Sequence, residues 1–138
     1  MDPARRGAMP MSVLTTISWG ELIDKVTILE IKIQRIQDPA KARNVERELS
    51  ALRPLRERAL QAQPGLAGIE RDLKAVNLVL WEVEDEIRAC EQRKDFGPRF
   101  IELARSVYHE NDRRALLKSQ INGLLGSDLV EEKSYRPY

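Results

Sequence analysis

The chain has 138 residues, a length that suits one domain with a single hydrophobic core. Its 23 basic and 22 acidic residues leave a net charge of +1, which excludes the strongly basic character of a typical nucleic-acid-binding domain. Charged residues make up 33% of the chain and aromatic residues only 5%, a composition that favours long exposed helices with a narrow apolar seam.

The first helix is marked by two signals at its beginning. Ser18 and Glu21 have the spacing of a capping box, in which each side chain can bond the backbone N–H of the other residue. Ile17 and Leu22 flank the cap as a hydrophobic staple. Together these signals predict a helix over 18–37.

The second helix is predicted over 39–62. Asp38 is a suitable N-cap, and Pro39 suits the first helical position because its fixed φ angle is already helical. Basic residues outnumber acidic ones by six to three over 39–63. Pro64 then breaks the helix.

The third helix, predicted over 66–93, has the most regular apolar pattern in the chain. Its apolar residues recur at alternating spacings of three and four, which predicts coiled-coil contacts. Acidic residues outnumber basic ones by seven to four over 64–93, the opposite of the preceding helix. We therefore predict that the second and third helices form an elongated antiparallel hairpin. The heptad positions are Leu66, Ile69, Leu73, Val76, Leu80, Val83, Ile87 and Cys90.

The fourth helix is predicted over 98–125, and polar residues interrupt its apolar seam. The seam runs to Val107 and resumes at Leu117, but Asn111 and Arg114 fall on inward positions between them. A polar residue in a seam often fixes register or oligomeric state. Alternatively, these residues contribute to a ligand site between helices.

A polar stripe lies beside the apolar seam of the third helix. Its members, spaced by four, three and four residues, are Asn77, Trp81, Glu84 and Arg88. Such a stripe is typical of the flank of a helix–helix interface, where charges fix the register. The alternative is a polar pocket between helices. The candidate binding residues are then Trp81, Glu84, Arg88, Asn111 and Arg114.

Two acidic pairs permit an enzymatic alternative. Each pair places two carboxylates one turn apart on a helix face, and four such oxygen ligands can hold Mg²⁺. The arrangement looks like a loose version of the acidic motifs of all-α nucleotide pyrophosphohydrolases, and it implies a Mg-dependent hydrolase. The long separation of the pairs along the chain counts against this alternative. The four residues are Glu21, Asp24, Glu82 and Asp85.

A second enzymatic alternative rests on residues 21–25. Their sequence, ELIDK, is similar to the first helix of chorismate mutase, a small helical dimer, and implies a small-molecule enzyme. The dicarboxylate pocket of such an enzyme requires inward-facing arginines and a lysine, which the sequence does not assign.

Four longer strings carry a family resemblance: WGELIDKVTILEIK (19–32), LWEVEDEIR (80–88), KDFGPRFIELARSVY (94–108) and NDRRALLKSQINGLLGSDLVEEKSY (111–135). They resemble a family of small uncharacterised all-helical bacterial proteins, classed as a domain of unknown function. The resemblance covers residues 13–135. It implies a bacterial helical protein and no known activity, so it assigns no catalytic residue.

The sequence as a whole predicts an all-α fold, an elongated antiparallel helical hairpin or coiled coil within a four-helix bundle. We expect a disordered extension over 1–12, a helical domain over 13–126 and a C-terminal tail over 127–138. Four apolar stripes exceed what one chain of this length easily encloses, so we expect a homodimer or a tetramer.

The predicted function is that of a non-catalytic helical interaction or scaffold module that binds itself or another protein. No cofactor is expected, since Mg²⁺ enters only with the hydrolase alternative. No segment approaches the roughly 18 consecutive apolar residues of a membrane span. The single cysteine, Cys90, allows no internal disulfide, which fits a reducing compartment. We therefore expect a soluble, cytoplasmic protein.

Overall fold

The computed structural model describes residues 12–129 and 131–138. These residues form four α-helices and no strand: α1 (Trp19–Arg35), α2 (Pro39–Ala62), α3 (Leu66–Arg93) and α4 (Pro98–Leu125). The predicted all-α chain with four helices is confirmed. Helix α1 ends two residues before the predicted position, and the other three cover the predicted residues. The expected disordered extension falls almost wholly on residues 1–11, which lie outside the described residues.

Local chemistry explains where the helices begin and end. The Glu21 N–H donates to the Ser18 hydroxyl at 3.1 Å, as a capping box requires. The Asp38 carboxylate accepts from the Ala40 N–H at 2.9 Å, which caps α2. Helix α4 ends at Leu125, and the next residue, Gly126, has a φ of 64°, in the left-handed region that glycine adopts without strain.

Helix α1 is the core element of the bundle, since it packs against all three other helices. Its buried side chains face more than one neighbour. Ile23 lies in one apolar cluster with Leu73 of α3 and Ile121 of α4. Val26 lies in a second cluster with Leu49 of α2. A helix with buried residues on several sides is covered by other helices rather than by solvent.

The structure corrects the predicted hairpin of α2 with α3. These two helices meet only beside their connecting turn, where Ala59 packs near Leu66 and Arg56 pairs with Glu70 at 2.6 Å. Helix α3 instead lies antiparallel to α4 along most of its length. Opposite net charge did not select α2 as the partner along the whole helix, because only Glu70 pairs with α2, whereas Glu82 pairs with Arg35 of α1 and Glu86 with Arg99 of α4.

Most of the heptad seam of α3 is covered within the chain. Near its beginning, Leu66 and Leu73 pack with residues of α1, α2 and α4. Near its end, Val83 and Cys90 pack with Leu103 of α4. The seam therefore contributes to the core of this one chain, where five of its eight residues are buried: Leu66, Leu73, Val76, Val83 and Cys90.

Helix α2 is the least buried element. Of its 24 residues, only Leu49 and Ala59 are buried. It packs mainly on α1, and its side chain Leu55 remains exposed. No helix in the described part of the chain combines the length and the apolar character that crossing a membrane requires.

Candidate functional site

A buried carboxylate joins three helices. Asp24 of α1 is only 1% exposed, and it accepts two hydrogen bonds from Arg114 of α4, from Nε at 2.9 Å and from Nη2 at 2.5 Å. The amide of Asn77 of α3 donates to Asp24 at 2.9 Å and to the hydroxyl of Thr27 at 2.8 Å. The bidentate guanidinium compensates the buried negative charge. The same hydrogen bonds raise the pKa of Arg114 despite its burial.

A buried lysine extends this polar network toward the C-terminal tail. Lys118 of α4 is 7% exposed and donates to Glu21 at 2.7 Å and to Glu131 at 2.8 Å. Burial alone lowers the pKa of Lys118, but the hydrogen bonds to the two glutamates outweigh burial, so the pKa is raised. The hydrogen bond from Lys118 lowers the pKa of Glu131.

The beginning of α1 lies unusually close to α4. The Gly20 N–H donates to the side-chain oxygen of Asn122 at 2.6 Å. A Cβ atom built on Gly20 lies 2.5 Å from the backbone carbonyl oxygen of Lys118. Only glycine permits this approach, which brings Glu21 and Asp24 within reach of the basic residues of α4.

The contact of Glu131 with Lys118 predicts an acid-dependent stability. A carboxyl with a lowered pKa stabilises the fold when it is ionised, and the contribution is lost as pH falls through its folded-state pKa. We expect Glu131→Gln to lower the free energy of unfolding at pH 7 by about 0.5 kcal/mol, a small value because Glu131 is 46% exposed and solvent screens the pair.

This difference between Glu131→Gln and the parent protein should shrink below about pH 4, where the parent glutamate also becomes protonated. Thermal unfolding from pH 7 to pH 3 measures it, and Glu132→Gln is the matched control because Glu132 has no ion pair within the described residues. A difference that stays constant down to pH 3 would contradict the assignment.

A half-open cavity of about 400 Å³ adjoins the polar network between α1 and α3. Its apolar wall includes Ile28, Ile31 and Trp81, and its polar wall includes Arg88 and Arg114. Arg114 therefore connects the buried network with a surface that a ligand can reach. The volume lies within the usual range of small-molecule pockets.

Comparison with protein-family models, with curated proteins and with solved structures found no match. The interpretation of this site therefore rests on its own chemistry.

The structure brings together four of the five side chains that the sequence suggested as a binding site. Trp81, Glu84, Arg88 and Arg114 all line the cavity. Asn111 does not line it. Asn111 instead borders a smaller recess of about 40 Å³ beside Lys118 and the tail. The polar stripe of α3 and the polar interruption of α4 thus meet through Arg114.

The four carboxylates of the hydrolase alternative do not meet. Asp24 is bound to Arg114 and Glu21 to Lys118, whereas Glu82 pairs with Arg35 at 3.2 Å on another face. Asp85 lines the cavity without the other three. Within residues 12–129 and 131–138, no three potential metal ligands form a group. The four carboxylates of this alternative therefore form no common Mg²⁺ ligand set among these residues, because basic residues of other helices bind Glu21, Asp24 and Glu82.

Among the residues of the polar network that sequence reasoning missed are Lys118 and Asn122 of α4. They continue the polar face that Asn111 and Arg114 begin, at spacings of three, four and four residues. Buried lysine and asparagine side chains on an inward face need partners, and this spacing is the signal that could have identified them. Their partners on α1 are separated from them by about 100 residues, so no local pattern indicates the pairing.

A second surface feature, here called the N-terminal groove, is apolar. Residues 13–18, which belong to no helix or strand, line a groove of about 570 Å³ together with residues of α1 and α2. Leu22 and Leu52 line its inner wall. Exposed apolar side chains border it: Val13, Leu14, Ile17 and Leu55.

Proposed function

We propose that the chain is a non-catalytic helical interaction module that self-associates through the N-terminal groove. The observation that carries this proposal is the side chain of Leu14, which is 100% exposed beside an open apolar groove. Contiguous exposed apolar surface of this kind marks interaction sites, because leaving it in water costs free energy that a partner removes.

The groove has the arrangement that a symmetric dimer needs. An interface with two-fold symmetry uses the same patch on both copies, so each patch must carry both a protruding and a receiving part. Leu14 and Val13 form the protruding part, and the space between Leu22 and Leu55 forms the receiving part. In the proposed dimer, Leu14 of each copy enters the groove of the other.

The charges around the groove permit the approach of a second copy. Lys25 of α1 and Glu48 of α2 are the charged residues that line it, and they pair with each other at 2.8 Å. The rim is therefore neutral, and two identical patches do not repel one another. The N-terminal groove takes the place of the α3 seam as the proposed contact surface, since five of the eight seam residues are buried within the chain.

The ionisable groups at the centre of the chain support a non-catalytic reading. Catalytic groups usually have a face open to substrate. Asp24 and Lys118 are both buried and hydrogen-bonded, and no buried side-chain polar atom among the described residues lacks a partner. Such a satisfied network fixes the relative positions of helices.

Light scattering of the purified chain with a single substitution tests the proposal. We expect the parent chain to have about twice the mass of one chain at micromolar concentration. Leu14→Ser should shift it to the mass of a single chain with unchanged helicity, because the substitution removes apolar contact and disturbs no core residue. The matched control is Leu116→Ser, which alters an exposed leucine of α4 that lies away from the groove.

Two results would contradict the proposal. If the parent chain has the mass of a single copy over the whole concentration range, it does not self-associate. A dimer that Leu14→Ser leaves intact places the interface elsewhere.

A further inference from the structure

We propose that the cavity between α1 and α3 binds a small zwitterion with an apolar body, a ligand of the chemical class of the apolar α-amino acids. This inference goes beyond the proposed self-association and uses a different surface. It rests on three features of the cavity: an apolar wall, guanidinium donors on one side and carboxylate acceptors next to them.

The apolar wall accounts for the body of the ligand. Ile28 and Ile31 of α1 face Leu80 and Trp81 of α3 across the cavity. Trp81 is half-buried, so part of its indole borders the open space. An apolar wall with a few polar groups at its edge is the usual form of a small-molecule site.

Arg114 supplies a positioned donor. Its Nε and Nη2 donate to Asp24, and its Nη1 has no acceptor within the described residues. Asp24 is buried and holds the guanidinium in one orientation, so the Nη1 donors are fixed before a ligand arrives. A positioned guanidinium is well suited to a carboxylate.

Arg88 supplies a second donor that is free to move. Its Nε lies 3.9 Å from the Glu84 carboxylate, which is too long for a hydrogen bond. Its side chain is 80% exposed, so this pair is weak. Arg88 and Glu84 therefore both retain hydrogen-bonding capacity for a ligand.

The neighbouring carboxylates select against a simple anion. Glu84 and Asp85 also line the cavity, and Asp85 has no ion pair within the described residues. A ligand with only a negative charge is repelled by these two carboxylates. A ligand with only a positive charge is repelled by Arg88 and Arg114. A ligand with an ammonium and a carboxylate on the same carbon atom satisfies both signs, while its side chain contacts Trp81.

Isothermal titration calorimetry with four probes tests the ligand class. The zwitterions are L-phenylalanine and L-leucine, and the single-charge controls are 2-phenylethylamine and 3-phenylpropionate. We expect saturable binding of at least one zwitterion and binding weaker by about tenfold or more for both controls, because each lacks one charge-assisted contact. No binding of either amino acid overturns the proposal, and equal binding of a control overturns the zwitterion class.

A pair of matched variants tests the location. Arg88→Gln should weaken binding of the amino acid by about tenfold, since it removes a charged donor and leaves the core intact. Arg99→Gln changes an exposed arginine of α4 that pairs with Glu86 outside the cavity, and it should leave binding unchanged. Equal binding by Arg88→Gln and the parent protein overturns the assignment to this cavity. Circular dichroism of both variants verifies that they are folded.

The two proposals fail independently. Leu14→Ser should remain able to bind the amino acid, because the N-terminal groove and the cavity share no lining residue. Arg88→Gln should remain able to self-associate for the same reason.

Discussion

Replacing Gly20 with alanine should lower the free energy of unfolding by about 2 to 3 kcal/mol, an effect typical of overpacking. The added methyl group would lie 2.5 Å from the carbonyl oxygen of Lys118 and 2.9 Å from the side-chain oxygen of Asn122. The first obstacle is backbone, so a side-chain rotation cannot relieve it. Helix α1 must then move away from α4, which lengthens the hydrogen bond from Gly20 to Asn122. Urea denaturation of the purified variant measures the loss.

Gly123→Ala is the matched control for this substitution. Gly123 lies in α4 with no atom within 4 Å of its added Cβ. Alanine has the higher helix propensity, so this variant should gain about 0.5 kcal/mol. If Gly20→Ala were as stable as Gly123→Ala, the close approach of α1 to α4 would be wrong.

Asp24→Asn should cost about 3 kcal/mol of unfolding free energy. The substitution keeps the size of the side chain but leaves the guanidinium of Arg114 without its counter-charge, and breaking a buried pair from one side is strongly destabilising. The figure is at the low end for such pairs because Arg114 is 29% exposed and regains some hydration. Equilibrium denaturation at pH 7 measures it.

Three further variants separate this effect from a general loss of charge. Glu86→Gln removes one partner of the exposed pair with Arg99 and should cost less than about 1 kcal/mol. The double variant Asp24→Leu with Arg114→Met should lose less free energy of unfolding than Asp24→Leu alone, because an apolar pair leaves no charge uncompensated. A double variant that is less stable than the single one would argue against the ion pair as the main contribution of Asp24.

The positions of the helices could be predicted because their end signals are local. The capping box at Ser18 and the N-cap at Asp38 involve atoms only two or three residues apart. The end of α4 before Gly126 has an equally local cause, since helices often end at a glycine in the left-handed region. These contacts depend on neighbours along the chain and not on the fold.

The helix pairing could not be predicted, because it depends on residues distant in sequence. The charge of α2 and α3 favoured a hairpin between them, but charge alone does not state which helix receives each acidic residue. Glu82 pairs with Arg35 of α1, and Glu86 pairs with Arg99 of α4. The apolar seam of α3 likewise does not indicate which of the other helices packs against it, because its pattern fits any apolar helix face.

The candidate site was predictable in part for the same reason. Trp81, Glu84 and Arg88 share one face of a helix, so their common location follows from spacing. The role of Asp24 does not follow, because a carboxylate one turn from Glu21 has the same pattern whether it binds a metal ion or an arginine. Only Arg114, 90 residues away, decides between these roles.

The polar network, the cavity and the N-terminal groove all depend on α1. Asp24 anchors the network, Ile28 and Ile31 form one wall of the cavity, and Leu22 lines the groove. A displacement of α1 therefore alters all three features together.

Amide hydrogen exchange of the intact chain, followed by mass spectrometry of its peptides, tests whether α1 lies at the core. We expect the amides of residues 22–31 to exchange as slowly as those of the buried parts of α3 and α4, and more slowly than those of α2, because exchange there requires opening of the bundle. Exchange over 22–31 that is as fast as exchange over 131–138 would contradict the buried position of α1 and every site built on it.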